Sequence, residues 1–224
     1  MPRPPQISRE AALAEAVRIL DEEGVGALSM RRIAQRLDVS SPSLYKYFRN
    51  LEDVLDAVTD EVVREIGSGA TYGADWRAEL AELARRYFRT FQRHPNAILL
   101  VMRRPVRSEA SLTGLDAVLR GLTDSGWETE RAIRAVLLVE SYSLGAAMTA
   151  VSSGVTDDPA LLAGRPALAA ALTGGHPAFR LDAPDFEHGL TFMLDGLDRE
   201  IAPPDGMPGA GAARGPGHTA GQPG

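Results

Sequence analysis

The sequence predicts an all-α protein in which a small N-terminal head precedes a larger helical body. Apolar residues recur at helical spacing in successive segments of the 224-residue chain. Residues that start or end helices separate these segments. The break Gly67-Ser68-Gly69-Ala70 marks the junction between head and body. With 44% hydrophobic and 24% charged residues, the composition is that of an ordinary globular chain that can bury a core.

The first helix is predicted over residues 8–23. Ser8 is a suitable N-cap and Gly24 a suitable C-terminal glycine. Between them the apolar face consists of Ala11, Leu13, Ala14, Ala16, Val17 and Leu20. Residues 1–7 are rich in proline and are predicted to form a disordered arm.

Residues 29–50 contain two short helical patterns separated by a polar break, which is typical of a helix-turn-helix. The first pattern has an apolar stripe at Met30, Ile33, Ala34 and Leu37. Ser40 or Ser41 as a cap, with Pro42 in the first turn, predicts the start of the second helix. The pattern turns Val39, Leu44 and Phe48 inward. It leaves outside Ser41, Ser43, Tyr45, Lys46 and Tyr47.

This outward set suits a DNA major groove. Hydroxyl groups and the chain's only lysine, Lys46, can hydrogen-bond base edges or phosphates, and no carboxylate lies among them. On spacing alone, an ordinary helical hairpin with half-buried tyrosines is an equal alternative. The formal net charge is −6, yet residues 1–50 hold eight of the 24 basic and only six of the 30 acidic residues. This asymmetry favours DNA at the head. The affinity would depend on Arg31, Arg32, Arg36, Lys46 and Arg49.

Residues 8–57 resemble the N-terminal domain of the TetR family of bacterial transcription regulators. The matching residues are Ala12–Leu20, Glu22-Glu23-Gly24, Leu28–Ala34, Leu37, Val39-Ser40, Pro42–Tyr45, Tyr47–Asn50 and Leu55. The resemblance implies a three-helix DNA-binding domain over 8–50, a helical ligand-binding and dimerisation domain over 67–202, and repression relieved by a small molecule. The residues that it places at the DNA are Arg31, Ser41, Pro42, Ser43, Tyr45, Lys46 and Tyr47. Arg49 is also expected to contact DNA because of its positive charge. Leu51 stands where the family commonly has a phosphate-binding lysine.

A connecting helix is predicted over residues 51–66, with Asn50 as its N-cap and Asp53 completing a capping box. In the family this helix links head and body. The resemblance therefore implies that an effector tilts its far end and changes the spacing of two recognition helices in a homodimer on a palindromic operator. The N-terminal arm could also follow the DNA backbone, although disorder is the simpler expectation.

The body has helical periodicity throughout. The predicted helices cover Trp76–Phe91, Ala97–Met102, Leu112–Leu122, Glu128–Ala150 and Asp185–Ile201. The fourth is apolar on nearly every side between Ala135 and Val139, which predicts burial on every side. The Gly- and Pro-rich segment 152–184 contains one helical patch at 159–172 and is either a pocket flap or an insertion facing solvent. Residues 203–224 are predicted to be a disordered tail.

The body also resembles the C-terminal domain of the repressor after which the family is named. The matching residues are Trp76, Pro105, Gly121-Leu122, Gly126 and Phe186–Leu190. The resemblance implies a pocket for a flat, partly apolar compound. Leu100 replaces the histidine that meets drug-bound magnesium there, so a metal-chelated tetracycline is not expected. Candidate pocket residues, each alternatively a core residue, are Trp76, His94, Met102, Glu140, Tyr142, Met148 and Phe192. Candidate dimer-interface residues, alternatively the core of a monomer, are Val139, Gly145, Ala146, Phe186, Leu190, Met193 and Leu197.

Other classes of protein are poorly supported by the sequence. It has no Gly-x-Ser-x-Gly, His-Glu-x-x-His or P-loop motif, no cysteine, and four scattered histidines, so no catalytic site, metal or cofactor is predicted. It lacks an 18-residue apolar stretch and the apolar core of a signal peptide, so no membrane association and a cytoplasmic location are expected. A helical small-molecule or protein-binding adaptor with weak or no DNA binding remains the alternative, which Leu51 and the acidic net charge favour.

Overall fold

The computed structural model describes residues 7–67, 75–105, 107–173 and 180–201, and every regular element within them is helical. The all-α prediction is therefore confirmed for this part of the chain. Nearly all of the predicted arm, most of the predicted junction between head and body, and the predicted tail lie outside the described residues. None of the helices in the described part has the length and apolarity needed to cross a membrane.

The head consists of α1 (Arg9–Glu23), α2 (Met30–Arg36) and α3 (Ser41–Leu44). As predicted, the Ser8 hydroxyl accepts the Ala11 N–H at 3.1 Å and starts α1. The helix ends at Gly24, whose φ of 82° is a conformation that favours glycine. The Ser29 hydroxyl caps α2 by accepting the Arg32 N–H at 3.1 Å. The largest buried side chains of the head are Ile19, Leu20, Ile33, Leu44 and Phe48.

Helix α4 (Leu51–Gly67) connects head and body. The Asn50 side chain accepts the Asp53 N–H at 2.9 Å, as expected of an N-cap. The predicted capping box is incomplete, because Asp53 accepts the backbone N–H of Arg49 instead of that of Asn50. At about 1.5 Å per residue, α4 is roughly 25 Å long. It packs against α1 at the head and against three helices of the body.

The body consists of α5 (Trp76–Arg93), α6 (Ile98–Met102), α7 (Glu109–Asp124), α8 (Thr129–Ala150), α9 (Pro159–Leu162), α10 (Pro166–Thr173) and α11 (Ala183–Ile201). Its centre is the long contact between α5 and α8. Helix α11 joins both, since the Phe186 ring stacks on Phe88 with 4.1 Å between centroids and on Tyr142 with 5.4 Å.

The structure corrects two predictions about the body. The helical patch at 159–172 is two short helices, because the chain turns at Gly164 with φ 77°, and no residue of either helix is buried. Burial of α8 on every side is wrong for the single chain. Leu137 and Leu138 are 54% and 46% exposed, since only the opposite face of α8 packs on the other helices.

Candidate DNA-binding face and effector cavity

The recognition segment is a single helical turn followed by a non-helical turn. Tyr45–Tyr47 were expected to belong to the recognition helix, but α3 ends at Leu44 and these three residues form a turn. The turn is closed by the Phe48 N–H, which donates to the Leu44 carbonyl at 3.0 Å. Buried Leu44 and Phe48 anchor the segment to the head. Between these anchors the polar side chains of the segment project from the head.

Most of the predicted DNA-contacting residues are exposed in the structure. Tyr45 is 56% exposed. Exposed with it are Arg31, Pro42, Lys46 and Arg49, whereas Ser41 and Ser43 are half-buried. The Ser43 hydroxyl lies 2.9 Å from that of Ser40, which starts α3. These hydroxyls, the tyrosine and the cations can bond to phosphates and to base edges.

Tyr47, which is also predicted to contact DNA, is less exposed than Tyr45. It is half-buried, and its hydroxyl donates to the backbone carbonyl of Ile7. That bond fastens the beginning of α1 to the recognition segment. Tyr47 therefore stabilises the recognition segment, and its contact with DNA stays a prediction.

The arginines of α2 fall into two groups. Arg32 donates to Glu23 at 2.7–3.2 Å, and Arg36 donates to Glu15 at 2.7 Å and to Glu22 at 2.8 Å. The hydrogen bond from Arg32 lowers the pKa of Glu23 below its usual value. These two cations hold α2 on α1, so they are not free to neutralise phosphate as the sequence had led us to expect.

Three cations remain available on the exposed face. In the described part of the chain, Arg31 and Lys46 form neither a hydrogen bond nor an ion pair. The guanidinium of Arg49 lies 3.5 Å from the Asp53 carboxylate, and the Arg49 side chain is 86% exposed. Leu51 packs against the core of the head, so the family's usual phosphate contact has no counterpart at that position.

A polar contact joins head and body at the C-terminal end of α4. The His94 Nδ1 lies 2.8 Å from the Asp21 carboxylate of α1, and its Nε2 lies 3.4 Å from the Glu65 carboxylate of α4. The Asn96 side chain donates to the carbonyls of Leu20 and Asp21 at 3.0 Å each. Burial raises the pKa of Asp21, and the histidine opposes that rise. We call this group of four side chains, Asp21, Glu65, His94 and Asn96, the latch.

A cavity of about 290 Å³ lies among α4, α5, α7 and α8. Its walls are mostly aliphatic, as is usual for a small-molecule site. They are formed by Val63, Arg64, Ile66, Gly67, Leu83, Tyr87, Ala110, Ser111, Gly114, Leu115, Val118, Val136 and Glu140. The last turn of α4 is thus part of both the cavity and the latch.

Glu140 is the one carboxylate among the described residues of this cavity wall. Burial raises its pKa, with no opposing contribution from a neighbouring cation. Within the described residues it has no hydrogen bond or ion pair. Arg64, also in the wall, is bound by Glu61 of the same helix, with Nε 3.2 Å from Oε2.

Of the seven predicted pocket residues, only Glu140 lines this cavity. Trp76 packs edge-on against Trp127 with 5.1 Å between ring centroids. His94 belongs to the latch, and the Tyr142 hydroxyl donates to the Phe186 carbonyl at 2.8 Å. The other three are exposed side chains: Met102, Met148 and Phe192. The aliphatic wall was not predicted from the sequence, because a residue that lines a cavity has the same helical spacing as a residue in the packed core.

A second, wider groove of about 500 Å³ lies between α4 and α6. Arg104 lies in it and is paired with Glu52 and Asp56. With these ion pairs formed, the described residues of the groove include no unpaired buried group, so it is the weaker candidate for a ligand site. Among the described residues, no three or more histidine, aspartate or glutamate side chains form a group that could hold a metal ion.

The predicted interface residues require revision. Buried inside the single chain are Val139, Ala146, Phe186, Leu190 and Leu197. Because other parts of the same chain cover these side chains, a second copy of the chain cannot pack against them. Gly145 is exposed and Met193 half-buried, so these two remain available.

A helix-turn-helix head joined by one helix to a cavity-bearing helical body is the architecture of a DNA-binding regulator. Comparison with known families gives the same result. Residues 12–58 match the bacterial regulatory proteins of the tetR family, and residues 70–201 match the tetracyclin repressor-like C-terminal domain. The chain belongs to the TetR family of transcription regulators, which are not enzymes.

Individual relatives support this membership over most of the chain. The HTH-type transcriptional repressor DrrR1 of Streptomyces coeruleorubidus is 30% identical over 215 residues, covering 88% of this chain and 80% of DrrR1. The class A tetracycline repressor from transposon 1721 of Escherichia coli is 30% identical, covering 86% and 91%. The solved structure of apo ActR from Streptomyces coelicolor is 28% identical with a TM-score of 0.67, covering 88% and 99%.

Proposed function

We propose that this protein is a transcriptional repressor that binds a palindromic operator as a homodimer and is released by a small-molecule effector. The observation that carries the proposal is the position of α4. Its last turn forms part of the cavity wall, and its first residue, Leu51, comes four positions after Tyr47 of the recognition segment. One rigid helix thus connects the place where an effector would bind with the surface that would meet DNA.

An effector in the cavity would act on the heads through α4. It would press on Val63 and Ile66, moving an element roughly 25 Å long. In a dimer both recognition segments must enter major grooves about one helical turn, roughly 34–36 Å, apart. Tilting the two α4 helices changes that distance, and the operator is released.

The proposed dimer interface is the exposed apolar surface of α8 and α11. These helices pack against each other through Tyr142 and Phe186. The exposed residues of this surface are Leu137, Leu138, Gly145 and Met148 on α8, and Phe192 and Gly196 on α11. An apolar patch of this kind is typical of a self-association site. Nothing lies within 4 Å of a Cβ placed at Gly145 or Gly196, so another helix has room to approach them closely.

Known relatives agree with ligand control. DrrR1 is named a repressor, and ActR has been solved in complex with actinorhodin and with (S)-DNPA. We extend to this chain the general expectation of a regulator that binds a small molecule in its body.

The central test is fluorescence anisotropy with palindromic duplexes taken from upstream of the protein's own gene. We expect one duplex to bind far more tightly than random DNA, with a steep dependence on salt. If Lys46 reads a base, Lys46→Ala should cost about 1–3 kcal/mol and relax the preference at one base pair; if it binds phosphate, affinity should fall uniformly. Binding equal to that of random DNA would favour the adaptor alternative.

The interface is tested by light scattering on purified variants. Leu137→Glu and Phe192→Glu should convert the dimer to monomers, because each buries a carboxylate in an apolar contact. Leu161→Glu is the matched control, since Leu161 is a 56% exposed leucine on α9, away from this surface. Monomers from all three variants, or from none, would contradict the proposed interface.

A further inference from the structure

We infer that the cavity among α4, α5, α7 and α8 binds a compound with a flat apolar frame and a positively charged nitrogen, and that Glu140 binds that nitrogen. The inference rests on the proposed function only in calling this compound the effector. It specifies the ligand's charge.

The lining of the cavity contains one cation, Arg64, and one anion, Glu140, and only the cation is compensated by a neighbour within the described residues. Arg64 is compensated by its own neighbour Glu61, one turn earlier on α4. Ser111 is also engaged, since its hydroxyl accepts that of Ser108 at 2.7 Å in the cap of α7. Glu140 alone among the charged residues of the wall has no partner within the described residues.

The surroundings of Glu140 are apolar. Leu83 and Tyr87 of α5, Val118 of α7 and Val136, one turn earlier on α8, belong to the same wall. A half-buried carboxylate in such a place loses part of its hydration without gaining a hydrogen bond, which is unfavourable. The raised pKa of this carboxyl has the same cause. A ligand ammonium or amidinium would supply the missing partner through a charge-assisted hydrogen bond.

This arrangement also discriminates between ligands. A neutral compound of the same shape would leave the carboxylate unpaired, and an anionic compound would face it directly. A site with a buried polar group discriminates strongly against ligands that lack the complementary group. An apolar pocket discriminates far less between ligands that differ by one apolar group. Glu140 therefore selects for charge, and the aliphatic wall selects for shape.

The test uses three probes with the same ring system: naphthylmethylammonium, naphthylmethanol and naphthoate. Their binding to the full-length, DNA-free protein is measured at neutral pH by titration calorimetry. Since a hydrogen bond to a charged group contributes about 1.5–3 kcal/mol, we expect the ammonium to bind at least about tenfold more tightly than the alcohol or the carboxylate. Equal binding of the ammonium and the alcohol, tighter binding of the carboxylate, or no binding of any probe would overturn the inference.

Two variants of α8 assign the effect to one residue. Glu140→Gln should weaken ammonium binding by about tenfold and change alcohol binding by less than about twofold. Glu130→Gln is the control, because Glu130 is exposed on the same helix and paired with Arg134. Its binding of all three probes should equal that of the wild type. An ammonium preference that survives in Glu140→Gln would overturn the assignment.

Measuring DNA binding on the same protein samples separates this inference from the proposed function. Specific DNA binding without an ammonium preference overturns the inference and leaves the repressor intact. An ammonium preference without specific DNA binding overturns the proposed repressor function and leaves the inference about the ligand's charge intact. Circular dichroism of each variant confirms that a lost preference is not a lost fold.

Discussion

Neutralising Arg31 should reduce the salt dependence of DNA binding, whereas removing the neighbouring Arg32 together with its partner should not. The two arginines are adjacent on α2. Arg31 is exposed and has no ion pair in the described part of the chain, while Arg32 donates three hydrogen bonds to the Glu23 carboxylate. A guanidinium already bound to a carboxylate releases no counterion from DNA.

The size of the effect follows from counterion release. Each neutralised phosphate contributes about 0.9 to the slope of log K against log salt, so the two Arg31 side chains of a dimer contribute about 1.8. Between 50 and 200 mM salt, the wild type should therefore lose about 12-fold more affinity than Arg31→Gln. Anisotropy titrations of a fluorescent duplex across this range measure both slopes directly.

The control is the double variant Arg32→Gln, Glu23→Gln, which removes a neutral pair and preserves net charge. Its slope should equal that of the wild type. If this double variant flattens the slope as much as Arg31→Gln does, Arg32 reaches phosphate in the complex. The division of the α2 arginines into structural and DNA-binding groups would then be refuted.

Three further predictions concern stability. Arg36→Ala leaves the buried Glu15 carboxylate with only one cation, so the free energy of unfolding should fall by about 2 kcal/mol, measured by chemical denaturation. Because burial raises the pKa of Glu140, the Glu140→Gln variant should be more stable than the wild type at pH 7. This difference in stability should shrink as the pH falls through the raised pKa, and it should vanish below the ordinary value of 4.5. A difference in melting temperature that does not change with pH would show that burial of the carboxylate is not its cause. Gly189→Ala places a Cβ against the tyrosine hydroxyl that joins α8 to α11 and should cost about 1–3 kcal/mol. Gly114→Ala meets nothing within 4 Å and should be neutral or slightly stabilising in the same thermal melts.

Helix positions were largely predictable because their signals are local. Ser8, Gly24 and Asn50 act within four residues of themselves, and each takes the capping role expected of it. Longer-range contacts have no such signal. Arg36 meets Glu15 across 21 residues of sequence, and Tyr47 meets Ile7 across 40. Neither pairing belongs to a helical repeat, so both residues were expected to face outward.

The cavity and the interface were less predictable because an apolar stripe does not say what covers it. Val139 and Leu137 are both apolar residues of α8, yet one is buried against the chain itself and the other is exposed. Only the packing of α5 on α8 decides between them. Glu140 was identifiable because an acidic residue within an apolar helix requires an explanation.

In the proposed mechanism, the last turn of α4 determines how an effector would act. Glu65 lies in the latch, 2.9 Å from Arg93 and 3.4 Å from His94, while its neighbours Arg64 and Ile66 face the cavity. Successive residues of a helix are rigidly connected, so a ligand that displaces the cavity side of this turn also displaces Glu65. His94 holds Asp21 of the head at the same time, so in the proposed mechanism the latch would resist the tilt that releases DNA. Because a ligand shifts an equilibrium only by its differential affinity for the two states, an effective compound must bind the tilted form strongly enough to offset the lost latch contacts.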